Sequence, residues 1–143
     1  EDDFQVIRIS DNLPVKLNTP FKEVEDKLGE PNSIKIVETS DHEEWDVFVY
    51  EYDDLGITFY REWPNIDYIN LKTNKYKTYR GVKIGDTKDE VLKKYQDIKI
   101  SKTGELYYQL DINIDEELLV YIIFFTFDDN NIVSTIIIHI ADI

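Results

Sequence analysis

Val15-Lys16-Leu17-Asn18-Thr19-Pro20-Phe21-Lys22-Glu23-Val24-Glu25-Asp26-Lys27-Leu28 is answered, 67 residues further on, by Val82-Lys83-Ile84-Gly85-Asp86-Thr87-Lys88-Asp89-Glu90-Val91-Leu92-Lys93-Lys94-Tyr95. Five of the 14 positions are identical, and two more exchange one apolar residue for another. Similarity at a fixed offset points to a repeated structural unit. Each copy reads as one short helix, over 20–28 and 88–95. In the first, Thr19 suits the N-cap and Pro20 the first helical position, where a missing N–H costs nothing. Gly29 and Pro31 then stop it. In the second, Thr87 and Glu90 have capping-box spacing, and Asp86 and Asp89 favour the positive end of the helix dipole. Phe21, Val24 and Leu28 form one apolar stripe; Val91, Leu92 and Tyr95 form the other. Helices this short need support from elsewhere in the fold.

The segments after each helix are strand-like: Ser33–Glu38, Trp45–Tyr52, Ile57–Glu62 and Ile66–Leu71 after the first, then Asp97–Ser101, Glu105–Ile112, Leu118–Phe127 and Ile132–Ile140 after the second. β-branched and aromatic residues dominate these runs. Asp53-Asp54-Leu55-Gly56, Trp63-Pro64-Asn65 and Asp128-Asp129-Asn130-Asn131 supply turn chemistry between them. Phe4–Ile9 reads as one extra strand. Without long crossovers the sheet is expected to be antiparallel. The expected fold class is α+β: two tandem helix-plus-antiparallel-strand repeats forming one extended antiparallel sheet, with short helices on one face. Residues 11–72 make the first repeat, 73–80 a solvated linker and 81–143 the second, in a single compact unit over 1–143.

Size and composition agree with one domain. The 143 residues are 42% hydrophobic and 13% aromatic, enough for a core. No apolar run reaches the length of a membrane-spanning helix. The absence of Cys excludes disulfides, thiolate nucleophiles and cysteine zinc sites. The net charge is −14 and is spread along the chain, −8 over residues 1–80 and −6 over 81–143. Such a field disfavours nucleic acid and anionic membrane surfaces and attracts a basic protein partner. Lys72, Lys75, Lys77 and Arg80 interleave with Tyr76 and Tyr79, an arrangement that binds single strands in other settings. Against the acidic background the stretch reads instead as the solvated linker. The sequence has no Met and opens on Glu1-Asp2-Asp3-Phe4, which reads as a mature form with its leader removed.

Catalytic chemistry is poorly supplied, and the chain is expected not to be an enzyme. There is no Gly-x-Ser-x-Gly elbow and no phosphate-cradling glycine loop. His42 stands in the acidic stretch Asp41-His42-Glu43-Glu44, and His139 in the last strand, as a satisfied or edge histidine. Asp111-Ile112-Asn113-Ile114-Asp115 opens like a calcium loop, but Glu116 stands where that loop needs Gly and Ile122 where it needs Glu. No metal or cofactor is expected. Asp128-Asp129-Asn130-Asn131 reads as a hairpin turn.

If helices cover one side of the sheet, the other is open to water or to a partner. Tyr50, Tyr52, Tyr60 and Tyr68 are the expected binding residues there, because Tyr gives large contact area at low entropic cost.

The string Gly81-Val82-Lys83-Ile84-Gly85-Asp86-Thr87-Lys88-Asp89-Glu90-Val91 resembles the helix-start motif of the BamE (SmpA/OmlA) lipoprotein and β-lactamase inhibitory protein superfamily. The first copy keeps the family-like exit Leu28-Gly29-Glu30-Pro31 but has Asn18 where Gly is usual. The second keeps Gly85 but exits through Gln96-Asp97. The resemblance covers about 15 residues per copy and implies a non-catalytic, extracytoplasmic protein-binding module of a bacterial envelope or secreted lipoprotein, with a lipid anchor upstream of Glu1. The alternative from another class is a cytosolic acidic immunity protein that neutralises a basic toxin.

Overall fold

A computed structural model describes residues 3–37, 46–60 and 65–142, the side chains of residues 60, 114 and 142 excepted. The elements run β1 (Gln5–Arg8), β2 (Leu13–Lys16), α1 (Phe21–Leu28), β3 (Ser33–Val37), β4 (Val47–Glu51), β5 (Leu55–Tyr60), β6 (Tyr68–Leu71), β7 (Tyr76–Thr78), α2 (Lys88–Lys94), β8 (Lys99–Ile100), β9 (Leu106–Ile114), β10 (Glu117–Phe127) and β11 (Val133–Asp142). Eight strands form an antiparallel sheet in the order β3-β4-β5-β6-β11-β10-β9-β8, and β2-β1-β7 form a second sheet.

This overturns the α+β expectation of two helix-plus-strand repeats on one sheet. The described residues are mostly β, with two helices of about two turns each and a separate three-stranded sheet. The physical reason lies in two segments whose strands are too short for alternation to register. Leu13–Lys16 pairs with β1, and so does Tyr76–Thr78. The latter falls inside 73–80, the expected solvated linker, yet Tyr76 and Thr78 are buried. Apolar cover over the large sheet is therefore shared between helices and strands.

The two helix starts are held alike. Asn18 donates its N–H to Ile66 O and Ile66 to Thr19 O, each at 2.8 Å; Gly85 donates to Val133 O at 3.0 Å and Val133 to Asp86 O at 2.8 Å. Both turns need a left-handed residue, Asn18 at φ 62° and Gly85 at φ 99°, a conformation that Gly and Asn adopt most readily. Their side-chain locks differ. The Thr19 hydroxyl donates to Lys16 O at 2.7 Å, whereas the buried Asp86 carboxylate accepts the Lys83 N–H and Nζ, both at 3.0 Å. Thr19 is thus occupied before the helix, and Pro20 takes the cap position without a side-chain bond. Thr87 does cap α2, accepting the Glu90 N–H at 3.2 Å.

The core lies between one face of the large sheet and the layer of α1, α2 and the small sheet. Phe21 of α1 stacks on Phe59 of β5, with centroids 4.1 Å apart. Phe4, just before β1, packs on Tyr108 of β9 and Tyr121 of β10. Tyr95, at the end of α2, meets Tyr108 and Phe125 and donates its buried hydroxyl to Thr78 Oγ1 at 2.9 Å. One buried chain of contacts thereby joins α2, the large sheet and β7.

Candidate functional site

Strand register decides which side chains face away from this core. Residues directly opposite across an antiparallel pair point to the same face. His139 of β11 pairs with Ile122 of β10 and with Tyr68 of β6; Phe124 of β10 pairs with Ile137 of β11 and Tyr107 of β9. Their sequence neighbours Ile69, Ile123, Phe125, Ile136 and Ile138 are buried, so the first set lies on the outer face. There, Tyr68, His139, Phe124 and Tyr107 form a row of rings across four adjacent strands. Tyr68 and His139 lie 6.0 Å apart and tilted, His139 and Phe124 are stacked at 5.6 Å and 10°, and Phe124 and Tyr107 stand 5.7 Å apart. All four side chains are partly exposed, and Ile122 and Ile137 fill the spaces beside them.

The rings shield one another enough to alter their chemistry. Burial pushes the His139 imidazole below its ordinary value, partly countered by a backbone bond at Ile140. Burial likewise pushes the Tyr68 hydroxyl up. At neutral pH the row is therefore uncharged, and it offers aromatic area with polar tips.

Of the four tyrosines expected on this face, the structure places Tyr68 there. Tyr50 and Tyr52 are on the opposite side. Tyr50 pairs with Ile57 and packs edge-on against Phe21 of α1 at 5.7 Å. The Tyr52 hydroxyl donates to Gly29 O at the end of α1, at 3.0 Å, and is pushed up to about 12 by burial and then by the Glu25 charge. The reason is parity: Phe48, Tyr50 and Tyr52 share the face of buried Phe59, leaving Val47 and Val49 outside. The Tyr60 side chain lies outside the described residues.

Sequence reasoning does not single out Tyr107, Phe124 and His139 as members of this row of rings. The alternation in 118–127 marks Ile122 and Phe124 as a second apolar face, which is the available signal. Nothing local shows that β6 meets β11 and unites Tyr68 with His139. That pairing also makes His139 a central residue and not an edge one. His42 lies outside the described residues.

Other motifs resolve into structure. Arg80 is held by Asp3 at 2.9 Å and Asp97 at 3.1 Å, and its guanidinium sits 4.7 Å from both the Tyr95 and Tyr108 ring centres. Lys72 pairs with Glu51 and donates to Tyr52 O. These two cations serve the fold. Asp128 accepts the N–H groups of Asn130 and Ile132 at 2.9 and 3.0 Å, closing the β10–β11 turn. Among the described residues no three His, Asp or Glu side chains gather as metal ligands, and no helix is long and apolar enough to cross a membrane.

Comparison with protein-family models, with curated proteins and with solved structures finds no match.

Proposed function

We propose that the chain is a non-catalytic protein-binding module whose outer sheet face, centred on Tyr68, His139, Phe124 and Tyr107, receives a basic protein partner. The observation that carries this is the row of four partly exposed rings on a face that no element covers among the described residues. Aromatic side chains are enriched in the cores of interfaces. The net charge of −14 would speed encounter with a basic partner. An extracytoplasmic, envelope-associated setting rests on the string Gly81–Val91 alone, and the lipid anchor goes with it. The charge suits a cytosolic immunity protein as well, so the compartment from which a partner is captured bears on the choice.

The test is capture from fractionated bacterial extract by the immobilised chain and by its Phe124→Ser variant. The intact chain should retain a basic protein from the envelope fraction, and the variant should retain at least about ten-fold less. Identical retention by both proteins would reject the outer face as the binding surface. Retention of a basic toxin from cytosol would favour the immunity reading.

A further inference from the structure

Among the described residues four strands end the two sheets, and three are protected against pairing with another chain. β2 carries Pro14, β7 has three residues and β8 has two. Such devices are how sheet edges normally avoid association. β3 is different. It is five residues long, Ser33-Ile34-Lys35-Ile36-Val37, and every residue is exposed. Ile34 is 53% exposed, Ile36 48% and Val37 43%. Three β-branched side chains are thus held in water on an end strand that pairs only with β4 among the described residues. Lys35 is the one charged residue, and it points to the opposite face from Ile34 and Ile36.

The ground beside β3 is apolar, then acidic. Ile34 pairs with Tyr50 and Ile36 with Phe48, so both isoleucines continue the aromatic floor beneath α1. Glu25 lies in the last turn of α1, where its carbonyl accepts the Gly29 N–H at 2.7 Å, next to the Gly29 O that receives the Tyr52 hydroxyl at 3.0 Å; burial, and then the Glu25 charge, push the Tyr50 and Tyr52 hydroxyls up. Three acids face two lysines on α1. A second copy of this chain would bring another −14 to the same edge, which opposes self-pairing.

We propose that β3 is a strand-addition site for an extended, basic segment of a partner protein. The segment pairs its backbone with the outer edge of β3, sets β-branched side chains against Ile34 and Ile36, and brings its cations to Glu25. Main-chain bonds supply affinity in this mode, and alternate side chains supply specificity. The site is separate from the outer aromatic face and stands whether or not that face binds.

The probe is a synthetic peptide of alternating Ile and Thr with lysines at both ends, added to the isotope-labelled full chain and followed by amide chemical shifts and hydrogen exchange. Shifts and added protection should centre on residues 33–37. A peptide ended by glutamates should bind about ten-fold more weakly, and one with Pro at its centre should not bind. The double substitution Ile34→Ser with Ile36→Ser alters exposed side chains only and should weaken binding about ten-fold, whereas Phe124→Ser on the outer face should not. Any of four results overturns the proposal: no binding, equal binding of the Pro peptide, shifts centred on β10 and β11, or a free chain that is already dimeric through 33–37.

Discussion

His139 shows how one ring in a sheet couples pH to the fold. It is flanked by Tyr68 and Phe124, and burial depresses its proton affinity. As pH falls through about 6.5, the unfolded imidazole takes up a proton before the folded one does. Stability should therefore fall with pH across the window between that ordinary value and the lower folded value. Above the window both states are neutral, and the residue adds no pH dependence. The thermal midpoint of the intact chain between pH 7.5 and 5.5, compared with that of His139→Phe, measures the contribution as a difference. The variant should show a shallower decline. A steeper one would contradict burial as the dominant influence. Arg80 makes the complementary point: a cation is tolerated against Tyr95 and Tyr108 because Asp3 and Asp97 neutralise it and two ring faces receive it.

Among the elements, the β9–β10 hairpin and the turn before α2 turn on backbone handedness. Ile114 and Glu117 close a two-residue hairpin in which Asp115 has φ 50° and Glu116 φ 67°. Both values are left-handed, as a type I′ turn requires, and glutamate is a poor residue for that conformation. Glu116→Gly should stabilise the chain by about 1 kcal/mol. At Gly85 the opposite holds. Its φ of 99° belongs to glycine, and an added Cβ meets nothing within 4 Å, so the cost of Gly85→Ala is conformational, about 1–2 kcal/mol. Urea unfolding of the two variants should move in opposite directions from the parent. A shared direction would mean that turn geometry does not set their stability.

At the scale of the molecule, thirty acids stand against 16 Lys+Arg in one small chain. Self-repulsion opposes the compact state, and salt relieves it. Raising ionic strength from about 0.01 to 0.15 M shortens the screening length from about 30 to 8 Å. The gain should be about 1 kcal/mol, a rise of a few degrees in Tm. Calorimetry in the two buffers measures it, and an unchanged Tm would show the acids to be already compensated by local pairs. The same field bears on both proposed surfaces: the outer face and the β3 edge each invite a cationic partner and discourage a second copy.

The local pieces were legible along the chain. Pro20 and Gly29 bracket one helix, Thr87 starts the other, and runs such as Leu118–Phe127 are too rich in β-branched and aromatic residues to be anything but strands. Those signals act over a few neighbouring residues and survive any tertiary setting. Which side of β4 is inside depends on packing between distant elements. Val47 and Val49 are as apolar as Phe48, Tyr50 and Tyr52, so an alternation of period two carries no sign. Packing of Phe21 against Phe59 and Tyr50 supplies that sign and takes Tyr50 and Tyr52 away from the outer face. The ring row was illegible for a related reason. Tyr68 and His139 are 71 positions apart and become neighbours only when β6 pairs with β11, and strand pairing is a long-range choice settled by the whole buried surface.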